Sequence, residues 1–93
     1  MEFEWDPKKE AKNIGKHKVT FSEAATVFGD TLSSTVPDPD HSEEEDRCII
    51  IGLSHRRRLL MVAHTERGER IRIISARPLT SAEREAYEEE TNR

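Results

Sequence analysis

The chain has 93 residues, of which 33% are hydrophobic and 37% charged, with a formal net charge of −4. That length supports one small domain with a thin core, burying about 60 to 65% of the surface its unfolded form exposes. A single cysteine, Cys48, leaves no internal disulfide and argues against a thiol-based zinc site. The N-terminus MEFEWDPKKE lacks the basic and then apolar run of a secretion signal, and no apolar stretch approaches the ~18 residues that span a bilayer. We therefore expect residues 1–93 to form one folded domain of the reducing cytoplasm, without membrane association.

In chain order, EFEW alternates polar and apolar residues and predicts a short strand. Asp6 is then a good N-cap with Pro7 at the first helical position, so a polar helix should run to about His17, with Ala11 and Ile14 as its main apolar contacts. Thr20 and Glu23 stand at capping-box spacing before a second, short helix whose inner face is Phe21, Ala24, Ala25 and Phe28. DTLSSTV reads as a strand, ended by PDPDHSEEED, where prolines and clustered acids forbid regular buried structure.

Three apolar runs follow, RCIIIGLS, RLLMVAHT and ERIRIISAR, joined by HRR and ERG. Links that short require antiparallel pairing, since a parallel return needs a dozen or more residues. The runs read as apolar on more than one face, so helices should cover at least one side. Finally, Thr80 and Glu83 repeat the capping-box spacing ahead of a helix with Leu79, Ala82, Ala86 and Tyr87 as inner residues. The expected fold class is α+β, with a mostly antiparallel sheet: one short strand, two helices, four strands and a helix.

Charge is distributed unevenly along this order. Residues 20 to 46 carry eight acids and no Lys or Arg, whereas residues 47 to 77 carry eight arginines against two glutamates. A local basic block of that kind is what a phosphate chain would feel, whatever the net charge.

The phrases FEWDPKKEAKNIGKHKVTFSEAATVFGD, DPDHSEEEDRCIIIGLS, RLLMVAHTERGERIRIISAR and EREAYEEE, in that order across nearly the whole chain, resemble the BrnT family of bacterial type II toxins. The resemblance implies a RelE-like fold and a metal-independent ribonuclease that cleaves mRNA, so inhibiting translation and growth. It also implies neutralisation by a BrnA-like antitoxin that binds DNA, in a complex expected to autoregulate its promoter. No cofactor and no metal is expected. A non-catalytic RNA- or protein-binding module is the alternative.

Cleavage of RNA without a metal uses the 2'-hydroxyl as nucleophile, so the protein must supply a base, an acid and positive charge around the phosphorane. His17 beside Lys16, at the helix end where the dipole attracts cations, is a candidate acid or phosphate ligand; the alternative is helix capping alone. His41 and Glu45 precede Arg47 in the acidic loop, and one catalytic role is expected between them. Arginine suits the charge-stabilising role because its fork binds phosphate and stays charged. Arg47, Arg67 and Arg77 are therefore catalytic candidates, and Lys16 and Arg72 candidates for RNA binding.

Strand alternation places Arg72 and Arg77 on opposite faces unless a bulge intervenes. Arg67 and Arg77 fall at opposite ends of one strand, so Arg47 and Arg67, with Arg72, form one cluster and Arg77 a second. The alternative for all of them is pairing with the acidic segments or lying along sheet edges. The few aromatic residues are expected in the core, not in a stacking platform for bases.

Overall fold

The computed structural model describes residues 1–40 and 46–91. Its elements are β1 (Glu2–Glu4), α1 (Pro7–His17), α2 (Phe21–Thr26), a 3₁₀ turn (Val27–Gly29), β2 (Ser34–Pro37), β3 (Arg47–Leu53), β4 (Leu59–Arg67), β5 (Arg70–Pro78) and α3 (Ser81–Thr91). The order is the predicted one, and the fold is α+β around a five-stranded sheet arranged β1-β5-β4-β3-β2. Strands β2 to β5 pair antiparallel, while β1 runs parallel to β5, with Phe3 opposite Ile71. No helix among the described residues is long and apolar enough to cross a membrane.

The helix signals act locally as read. The Asp6 side chain accepts from the Lys8 N–H at 2.8 Å, and Thr20 Oγ1 accepts from the Glu23 N–H at 3.0 Å. At α3 the box closes in both directions, with the Thr80 N–H donating to Glu83 Oε1 and the Glu83 N–H to Thr80 Oγ1. Helix α1 stops because Lys18 enters the left-handed region at φ 60°, a position where glycine would be free of strain. One expected strand start moves: Asp30 to Ser33 form a turn and β2 begins at Ser34. The cause is Asp30, whose carboxylate accepts from the Leu32 N–H at 3.0 Å and, across the sheet end, from the Leu53 N–H at 2.7 Å. That approach needs Gly52, since a Cβ there would stand 2.9 Å from Asp30 Oδ2 and from Ser33 Cβ.

Helices α1 and α2 cover one face. Val19, Phe21, Ala24 and Val27 pack against Ile50, Leu60, Val62, Ile73 and Ala76, with Phe3, Trp5 and Phe28 at the margin. Phe21 alone, fully buried, is worth ~1.5 to 3 kcal/mol of transfer free energy. His64 joins this face, its ring 4.8 Å from that of Phe28, and burial pushes its pKa below the ordinary histidine value.

The docking of α1 departs from the sequence expectation: Ala11 and Ile14 are exposed, and the buried residue is Asn13. Strand β1 pairs only residues 70 to 72, leaving the rest of that edge of β5 without a strand. The Asn13 side chain takes the strand's place, donating to Val19 O and Ala76 O and accepting from the Ala76 N–H. A short polar side chain thus satisfies both main-chain groups of a buried edge residue.

On the opposite face α3 covers one end of the sheet, where Leu79 and Tyr87 pack on Leu59, Ile51, Leu53 and Met61. The Tyr87 hydroxyl donates to Leu32 O at 2.7 Å. Ala82 and Ala86, expected inside, are exposed; Glu83 is turned toward the sheet instead. No helix among the described residues covers the other end of this face.

Candidate functional site

Strand β5 decides which side chains reach the uncovered face. Its register on β4 shifts once: Ile73 lies opposite His64 but Ser75 lies opposite Ala63, so Ile74 is an extra, bulged residue. Before the bulge Ile71 and Ile73 face the core; after it Ala76 does. Arg72, Ser75 and Arg77 therefore share the open face. This corrects the strict alternation, in which Arg72 and Arg77 pointed to opposite sides.

The open face holds a cleft of about 340 Å³ lined by Lys16, His17, Asp38, Asp40, Ile49, Met61, Ala63, Ser75, Ala76 and Arg77. Lys16 and His17 enter from the last turn of α1 on the β5 side. Asp38 and Asp40 follow β2 and close the far side. Asp38 is buried, held by its own N–H donating to Arg47 O at 2.9 Å and by its Oδ1 accepting from the Asp40 N–H at 3.0 Å. The floor is neutral, formed by Ile49, Ala63 and Ser75 in one cross-strand row. One wall can neutralise an anion or hand over a proton, and the other carries carboxylates that can accept one.

Arg77 lies at the rim, tied into a clasp. Its two terminal nitrogens bond both Glu83 carboxylate oxygens at 2.8 and 2.9 Å, Pro78 O at 3.2 Å and Met61 Sδ at 3.3 Å. The Arg77 guanidinium, helped by the Thr80 N–H, holds the Glu83 carboxyl down at about 2, so the pair stays ionised across the physiological range. Only Nε of the fork is left for another ligand. Arg77 lines the cleft but does not offer its bidentate edge to it.

The remaining expected residues lie elsewhere on the same face. Arg47 and Arg72 flank Thr65 from either side, Arg47 opposite Thr65 on β3 and Arg72 opposite it on β5. Arg47 Nε and Thr65 Oγ1 are buried with no hydrogen-bond partner among the described residues. Arg72 donates to Glu4 Oε2 at 3.1 Å. Arg67 is one row further on, opposite Arg70. Arg67 and Arg77 are therefore far apart: six residue steps along β4 lie between Arg67 and Met61, the partner of Arg77, a span of ~20 Å. His41 and Glu45 lie outside the described residues.

Sequence reasoning missed three features of the site. Asp38 and Asp40 were read only as loop punctuation, although the PDPD pattern places them at a strand end. Glu83 was read only as a cap. Lys9 and Lys12 went unnoticed, although their spacing to Lys16 puts all three on one helix stripe; with His17 and Ser75 they line a second groove, of about 280 Å³, that adjoins the cleft.

Two comparisons with known proteins bear on this geometry, and among curated proteins no relative matches. Residues 5–83 match the family model described as the ribonuclease toxin, BrnT, of type II toxin-antitoxin systems. The fold is similar to the crystal structure of the Brucella abortus ribonuclease toxin BrnT, with a TM-score of 0.69 and 24% identity, covering 87% of this chain and 99% of that one. With the family model matched over most of its length and the same arrangement of sheet and helices, this chain belongs to the BrnT family of type II ribonuclease toxins.

Proposed function

We propose that the chain cleaves RNA without a metal ion, in the cleft between the end of α1 and the open face of the sheet. The observation that carries this is convergence: Lys16, His17 and Arg77, from an N-terminal helix and a C-terminal strand, line one cleft. As a member of a type II toxin family the chain has an RNA target and an antitoxin partner. Attack by the 2'-hydroxyl needs a proton acceptor, a donor for the leaving 5'-oxygen and charge beside the phosphorane. His17 serves as the proton donor, with Lys16 neutralising the phosphate beside it. Asp40, exposed on the far wall, is the acceptor. Arg77, fixed by Glu83, shapes the rim and adds Nε as a donor. The substrate is mRNA, and the partner a BrnA-like, DNA-binding antitoxin.

The purified protein should cut RNA in the presence of EDTA and leave 2',3'-cyclic phosphate ends. His17→Ala should slow cleavage by roughly 10²- to 10⁴-fold with a native circular dichroism spectrum, the range of a lost general acid. RNA left intact in EDTA but cut on adding a divalent metal ends the metal-free reading. Intact RNA under all conditions, with tight binding, would make the chain a binding module. Expression should arrest growth, and co-expression of the neighbouring antitoxin gene should relieve it.

A further inference from the structure

The groove beside the cleft is made by α1 and the bulge of β5. Lys9, Lys12 and Lys16 recur at helical spacing along its length, and His17 and Ser75 line both it and the cleft, so the two are continuous. The helix carries four lysines against one glutamate. Among the described residues none of those lysines forms an ion pair, whereas Arg58, Arg70, Arg72 and Arg77 each do. The helix's one carboxylate is directed elsewhere, since Glu10 Oε2 accepts from the Phe21 N–H at 2.9 Å. The lysine charges are left to solvent along a groove that ends at His17.

We propose that this groove is a track for the backbone of single-stranded RNA, with Lys9 and Lys12 holding phosphates that follow the one in the cleft. The inference rests on the RNA-cleaving reading of that cleft and extends it to how substrate is held. From Lys9 to Lys16 the helix rises ~10 Å. That length is enough for the phosphate next to the one in the cleft and for its neighbour, reached by the flexible stems of Lys12 and Lys9. Lysine suits this role: its ammonium is a mobile point charge on a flexible stem, which follows a backbone without demanding one sequence. Among the described residues no exposed aromatic platform flanks the groove, so the track reads charge, not bases.

The test is binding of a labelled 2'-deoxy oligonucleotide, which lacks the nucleophile and cannot be cut. The double variant Lys9→Ala/Lys12→Ala should bind about 20-fold more weakly at 0.1 M salt, with a log–log salt slope less negative by ~1.4, the value for two lost single-strand phosphate contacts. Lys8→Ala removes a charge from the same helix outside the groove and should leave affinity and slope near those of the wild type. Alanine is a strong helix former at these exposed positions, so folding is retained. Wild-type affinity and slope in the double variant overturn the track. So does an equal loss per charge in Lys8→Ala, which would mean a diffuse field, or a double variant that keeps nucleic acid and loses the antitoxin. Because the readout is binding, a wild-type protein that fails to cleave overturns the cleavage reading and leaves this result to stand or fall by itself.

Discussion

The arginines on and beside the sheet and the lysines of α1 make an instructive pair of cationic regions: among the described residues most of the arginines are answered by carboxylates, and the α1 lysines are not. Glu23 receives Arg58, Glu4 receives Arg72, Glu2 and Glu4 flank Arg70, and Glu83 clasps Arg77. A planar fork matches a carboxylate in two places at once, so in a chain with 19 acids arginine readily finds a partner. Within α1 the residues one turn away from each lysine in the groove carry no acid, and Asp6, three residues before Lys9, is engaged as the N-cap with the Lys8 N–H. Density of positive charge in the sequence therefore differs from positive charge available to a ligand.

The strongest way to break the comparison is at Glu23, which is 2% exposed, accepts from the Ser54 hydroxyl and bonds the Arg58 guanidinium through both carboxylate oxygens. Arg58 in turn donates to Lys18 O, joining the link between β3 and β4 to the end of α1. Glu23→Ala takes the partner from the buried Ser54 hydroxyl and from the part-exposed Arg58 guanidinium and should cost about 3 kcal/mol or slightly more in urea denaturation, the loss of several hydrogen bonds to a charged group. A loss under 1 kcal/mol would mean that the arginines are not structural. Next comes Asn13→Ala, which strips Ala76 and Val19 of their partners and should cost about 3 kcal/mol, loosening the lysine helix from the sheet.

Glu83→Gln sharpens the comparison by releasing one arginine. It should cost ~1 kcal/mol and strengthen nucleic acid binding as the Arg77 fork becomes free; unchanged binding would show that Arg77 is purely structural. The pH dependence follows in sign. A carboxylate held down at about 2 contributes stability that is complete above its unfolded value of 4.5, and loses it as pH falls between about 4.5 and about 2. Acid titration of Glu83→Gln should lack that portion. The smallest effect belongs to Arg70→Ala and Arg72→Ala, whose pairs with Glu2 and Glu4 are partly or largely exposed and worth no more than ~0.5 kcal/mol each. Their nucleic acid affinity should fall less than that of Lys9→Ala/Lys12→Ala. Arg72→Ala weakening binding as much as the lysine pair would abolish the distinction.

By itself the sequence determined the order of elements, because caps, prolines and short links are local signals: Asp6, Thr20 and Thr80 each start the helix they were expected to start. It also singled out Lys16, His17 and Arg77 as candidates, and the structure brings those three to one cleft. The face to which Arg77 points was not legible, because a single bulged residue, Ile74, reverses every side chain after it, and nothing in ERIRIISAR announces which residue will be extra. Nor was the partner of each charge legible. Glu83 meets Arg77 across a helix start, and Glu4 meets Arg72 across 68 residues of chain. Local rules set where helices and strands begin; which cations are neutralised and which line a groove is a matter of distances between segments, and only the tertiary structure supplies those.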